Sequence, residues 1–169
     1  GKSDAAVVYF KSNATVEFDG IYDAFRLFSW DNNLSNTWNN DVPHIFSVTS
    51  SEKVALSINA LPESLLGEAV IPLGIRIGTS GEYTITKDQF NFAGVNVYLI
   101  DKQEGITINL NAEENYTFNF SAGDDRTRFE LRFNVNNAPL VDRPINKQIA
   151  SEDTEFNFIF EQNTFAELD

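Results

Sequence analysis

The residues best placed by type and spacing to do chemistry lie in one polar stretch. Trp30 and Trp38, with Tyr22 nearby in sequence, can form an aromatic platform. Sugar rings present apolar C–H faces that stack on such platforms, and flanking Asn and Asp side chains bind hydroxyls. Asp31, Asn32, Asn33, Asn39, Asn40 and Asp41 supply those groups between Ser29 and Pro43. The same oxygens suit Ca²⁺, which takes carboxylate and carbonyl ligands. Their spacing does not match an EF-hand loop. Local turn formation by Asn and Asp, with both tryptophans pinning the loop, accounts for the stretch equally well.

Elsewhere the chemistry is thin. His44 is the only histidine and has no partner motif, which makes it structural. No Gly-x-Ser-x-Gly elbow is present, and sequence alone selects no acid–base pair from the 25 acids. Asp124 and Asp125 follow Gly123 as a hairpin turn. The chain is therefore read as non-catalytic.

Composition narrows the partners. Net charge is −13 over 169 residues, from 25 acids and 12 bases. Binding phosphate needs a dense basic face, so nucleic acid is excluded, and an anionic membrane surface with it. No apolar run approaches the ~20 residues of a membrane span. With no cysteine there is no disulfide, thiolate zinc site or thiol catalysis. The chain opens at Gly1 and has no methionine, so it reads as a piece of a longer product.

The elements that must position these residues are strands. Ile106, Ile108 and Leu110 alternate with polar partners, as do Tyr116, Phe118 and Phe120, and Phe129, Leu131 and Phe133. Period two gives one apolar and one wet face. Turn-forming segments separate the runs, which predicts antiparallel neighbours. Ala5–Phe10, Ala14–Phe18, Tyr22–Phe28, Ile45–Thr49, Val54–Ile58, Val70–Ile77 and Val97–Asp101 read as further strands. Pro72 inside its run predicts an edge or a bulge. Roughly ten strands at this spacing predict an all-β, antiparallel two-sheet β-sandwich, jelly-roll-like. The division expected is a sandwich over 1–133, a linker over 134–141 and a second segment over 142–169.

The order of short motifs resembles a known domain. Phe18-Asp19-Gly20-Ile21-Tyr22-Asp23-Ala24-Phe25-Arg26-Leu27, Leu56-Ser57-Ile58-Asn59-Ala60-Leu61-Pro62, Ile71-Pro72-Leu73-Gly74-Ile75, Gly81-Glu82-Tyr83-Thr84-Ile85, Val97-Tyr98-Leu99-Ile100-Asp101-Lys102, Tyr116-Thr117-Phe118-Asn119-Phe120 and Arg128-Phe129-Glu130-Leu131 follow one another. The series resembles the β-sandwich domain of secreted, adhesin-like surface proteins of Bacteroidetes, cargo of type IX secretion. That resemblance implies a cell-surface or extracellular address and brings no catalytic residue. Pro139–Ile145, Ala150–Phe156 and Asn163–Asp169 resemble the opening of a cadherin-like repeat. There a Phe-x-Asp-x-Asp run binds Ca²⁺, and Phe165, Glu167 and Asp169 fall on it.

The expectation is thus a non-enzymatic module that spaces or presents neighbouring domains of the same polypeptide. Glycans or secretion machinery are its further partners. The alternative is a carbohydrate-binding module using Trp30, Trp38 and Tyr22. Ca²⁺ is the one cofactor considered, at Asp31, Asp41, Glu167 and Asp169.

Overall fold

The computed structural model describes residues 2–27, 42–121, 127–135, 140–141, 152–153, 155, 157, 159 and 165–166. The chain divides into two units, Gly1–Val135 and Asn136–Asp169. Strands of the first unit are β1 (Val7–Phe10), β2 (Ala24–Phe25), β3 (His44–Val48), β4 (Ala55–Leu61), β5 (Val70–Arg76), β6 (Gly81–Thr86), β7 (Val95–Asp101), β8 (Ile106–Asn109), β9 (Asn115–Phe120) and β10 (Phe129–Val135). In the second unit, β11 (Leu140–Val141) pairs antiparallel with β12 (Phe165–Ala166). A 3-10 turn at Glu63–Leu65 is the one helical piece among the described residues.

Alternation decides which side chains meet. On β7, Val95, Val97 and Leu99 are buried, while Asn96, Tyr98 and Ile100 between them are half-buried. β10 lies antiparallel alongside, with Leu131 opposite Leu99 and Phe133 opposite Val97. β5 continues the layer through Ile71, Leu73 and Ile75. The full sheet has eight strands in the order β1–β4–β3–β5–β10–β7–β8, with β2 also paired to β4. A second sheet holds only β6 and β9. Its Tyr83, Ile85, Tyr116, Phe118 and Phe120 join the same core. On its other face Thr84 and Thr117 share a hydrogen bond of 2.9 Å, and Thr86 donates to Asn115 at 2.7 Å. The fold is all-β and sandwich-like, with aromatic edge-to-face contacts such as Phe118 on Phe129 at 4.8 Å across the interior.

Three expectations change. Ala14–Phe18 is not a strand: the Thr15 hydroxyl donates to the Glu17 carbonyl at 2.7 Å, and the Glu17 carboxylate accepts from the Ser51 and Glu52 amides at 2.9 and 3.3 Å. β8 and β9 are consecutive but do not pair, since β9 crosses to join β6 in the second sheet. The pairing is also not purely antiparallel, because β1 runs parallel to β4.

That parallel pair creates a fork. Leu56 pairs with Ser47 on one side and Phe25 on the other; Ile58 pairs with Val7 and with Ala24. β2 therefore follows one edge of β4, and β3 and β1 share the opposite edge end to end. β3 pairs with β4 only through Ser47 and Val48. Side chains finish the edges: Asp23 accepts from the Ala60 amide at 2.7 Å, and the Tyr9 hydroxyl donates to the Tyr22 carbonyl at 2.9 Å.

Two further devices fix register. Gly74 faces Phe46 across β3 and β5, and a Cβ at Gly74 would lie 2.1 Å from the Phe46 ring. Glycine there gives the ring its seat. Beyond β8, Asn111 replaces a strand residue: its Oδ1 accepts from Val97 N at 2.8 Å and its Nδ2 donates to Val95 O at 2.9 Å. Pro72 sits just past Leu73, where the β3 pairing ends, so β5 is locally an edge on that flank.

Candidate functional site

The inward parity of β7 continues one residue too far for a purely apolar core. After Val95, Val97 and Leu99 comes Asp101, which is 0% exposed. Arg128, placed just before β10, is 1% exposed and meets it. Arg128 Nε donates to Asp101 Oδ1 at 3.0 Å, and Nη2 donates to Oδ2. Tyr116 on β9 donates its hydroxyl to Oδ2 at 2.9 Å. The Gln103 and Glu104 amides cap Oδ1 at 3.0 and 3.3 Å. Arg128 Nη1 donates to the Asn119 carbonyl at 3.1 Å, and its guanidinium carbon lies about 5 Å from the Phe118 and Phe129 rings. Arg128 thus ties β7 of the large sheet to β9 of the small one, using its planar fork and its stacking surface together.

Burial drives the Asp101 carboxyl up, but the bonds from Arg128, Tyr116 and the Glu104 amide outweigh it and hold the group below its usual range. Burial first, then the Asp101 carboxylate, pushes the Tyr116 phenol up to about 12. Each oxygen is spent on a neighbour, so no lone pair is left aimed at solvent for a substrate. The cluster has the form of a strut rather than of a reaction centre.

A second ionic cluster sits at the fork. Asp4 Oδ1 accepts from Arg26 Nη1 at 2.9 Å, and Asp4 Oδ2 accepts from the Ile45 amide at 2.9 Å. Arg26 Nη2 donates to His44 Nδ1, and that nitrogen is 3.8 Å from Asp4 Oδ2. Arg76 stands opposite His44 in the β3–β5 ladder. Burial, then Arg26, holds the imidazole below its ordinary value against the pull of Asp4. A third anchor is exposed: the Glu17 carboxyl is lowered by the Ser51 amide and hydroxyl.

The sequence-derived sites fare differently. Trp30, Trp38, Asp31, Asp41, Glu167 and Asp169 lie outside the described residues. Tyr22 is described: it is half-buried, and Lys11 Nζ stands 5.5 Å from the ring centroid. A cation over the ring occupies one of the two faces on which a sugar could stack. Among the described residues no group of three or more His, Cys, Asp or Glu could hold a metal ion. A shallow cavity of about 60 Å³ between Val16, Val48, Asn59, Leu61, Leu65 and Ile71 has room for water but falls far below the ~300 Å³ of ligand pockets. Sequence reasoning missed Asp101 and Arg128; the available signal was a charged residue on the buried parity of β7, beside an arginine opening an apolar run.

A model described as Domain of unknown function (DUF8693) matches residues 1–133. The chain belongs to this family. No curated protein and no solved structure matches it. The matched range of the DUF8693 domain takes in the Asp101–Arg128 strut and the Asp4–Arg26–His44 cluster and ends within β10. Among the described residues, no helix is long and apolar enough to cross a membrane.

Proposed function

We propose that this DUF8693 domain is a non-catalytic β-sandwich module of a secreted, modular bacterial surface protein, spacing or presenting its neighbours. The observation that supports this most is the Asp101–Arg128–Tyr116 strut. Its charges are buried, mutually satisfied and placed between sheets, where they stiffen the unit instead of meeting a ligand. A spacer needs a defined shape under solvent on all sides. An acidic surface of this size keeps such a unit dispersed. The surface address, adhesion and passage by type IX secretion rest on the motif-order resemblance.

The test is a glycan array with the intact chain beside Trp30→Ala and Trp38→Ala. Signals that match between the three support the spacer reading. Binding by the intact chain that disappears in either variant replaces it with the carbohydrate-binding reading. Melting with and without chelator tests Ca²⁺ separately, since an ion bound to the native state raises the midpoint.

A further inference from the structure

The fork in β4 is closed by charged side chains rather than by backbone pairing. Where β3 departs from β4, the Ile45 amide turns to the Asp4 carboxylate instead of a strand partner. Asp4 belongs to the lead into β1, the strand that takes over the same edge. Arg26, just past β2, joins both: it donates to Asp4 and to His44. Three separate parts of the chain thus meet at one imidazole.

Guanidinium groups carry donors only. The Arg26 bond therefore requires His44 Nδ1 to be unprotonated, with the ring proton on Nε2. Among the described residues, the charged groups placed around the ring are Arg26 at Nδ1, Arg76 across the ladder from β5, and Asp4. Asp4 is the single carboxylate among them and is already committed to Arg26 Nη1 and the Ile45 amide. Arg26 engages through Nη1 and Nη2, while its buried Nε has no hydrogen-bond partner.

We propose that Asp4, Arg26 and His44 form a proton-sensitive clasp at the fork. A proton on Nδ1 removes the acceptor Arg26 uses, sets a third cation beside Arg26 and Arg76, and draws Asp4 away from the Ile45 amide. No bond is made or broken beyond that protonation. The direction follows from linkage. The folded state holds His44 below its ordinary 6.5, so the clasp's contribution is full above that pH. It is lost as pH falls through 6.5 toward the folded value.

The test exploits the single histidine, whose ring signals need no assignment. The intact chain is titrated from pH 8 to 4 by NMR, following the His44 ring and exchange of the Ile45 amide. The expected result is a His44 midpoint below 6.5 and an Ile45 exchange rate, corrected for intrinsic pH dependence, that rises with that same midpoint. In the linked range the change approaches about tenfold per pH unit, the slope for one proton. His44→Gln, which cannot take the proton, should show no such step. A His44 midpoint at or above 6.5, or Ile45 protection unchanged through the titration, overturns the proposal. Should His44→Gln fail to fold, the titration of the natural chain still decides.

Discussion

Replacing Asp101 with Asn removes the charge and keeps the shape, which makes it the sharpest perturbation of the strut. The carboxylate accepts from Arg128 Nε and Nη2, Tyr116 and the amides of Gln103 and Glu104. Asn offers one carbonyl oxygen and turns an NH₂ toward groups that are all donors. Arg128, at 1% exposure, is left as a buried cation that has lost the carboxylate its fork binds, with the exposed Glu104 carboxylate 4.0 Å from Nη2. Stranding one partner of a buried pair costs about 3–5 kcal/mol. The lost Tyr116 bond falls within that figure, since the contacts are coupled and do not add. Against the ~5–15 kcal/mol of an ordinary domain, this removes about a fifth or more of the stability. At ~3–5 °C per kcal/mol for a unit of this size, the melting midpoint drops by about 9–25 °C. Denaturant melts of the wild type, Asp101→Asn, Asp101→Leu, Arg128→Met and the Asp101→Leu/Arg128→Met double variant measure it. The double variant should recover much of the loss, because an apolar pair needs no counter-ion. The pH course is also fixed: a lowered carboxyl stabilises above its ordinary 3.8 and loses this only as pH falls below that value toward the folded one. The gap between wild type and Asp101→Asn should therefore hold from neutral pH to about 4 and close only beneath it. A loss under ~1 kcal/mol for Asp101→Asn, or a double variant as unstable as the sum of both singles, would refute the strut.

Tyr116→Phe should cost about 1.5–3 kcal/mol, the worth of a bond to a charged acceptor. In the natural chain, absorbance titration should find one tyrosine that ionises only near pH 12 and is missing from that variant. Gly74→Ala forces the Phe46 ring from its seat and should lose about 1–3 kcal/mol, with Phe46→Leu on the same background returning part of it in thermal melts. Asn111→Ala leaves Val97 N and Val95 O without their side-chain rungs; a loss of about 1–2 kcal/mol is expected, with faster hydrogen exchange localised to Val97.

Strand type was legible because alternation is a local signal. Val95–Asp101 and Asn115–Phe120 carry it residue by residue, and the structure places strands there. Partnership was less legible. Nothing local tells Tyr116–Phe120 to leave its sequence neighbour and pair with Gly81–Thr86; the aromatic rows that reward it come from distant parts of the chain. Ala14–Phe18 shows the converse, where period-two residues end as an anchored turn because their partner groups are the amides after β3. The charged core was hidden for a similar reason. An Asp ending a strand reads as a turn residue, and the first turn after β7 does use its carboxylate. That the same group also faces Arg128 depends on a contact 27 residues away in sequence.

The shared edge of β4 has a consequence for how the chain is made. β1 is synthesised well before Ile58–Leu61, its one strand partner among the described residues, and the tight connection between β3 and β4 closes long before a loop from Val7 to Ile58 does. Of the three strands that pair with β4, β1 is thus the last to dock, and until then it travels as an unclaimed ribbon. A nascent chain halted before Ile58 should still offer Val7–Phe10 to proteases, whereas one extended beyond it should begin to hide them.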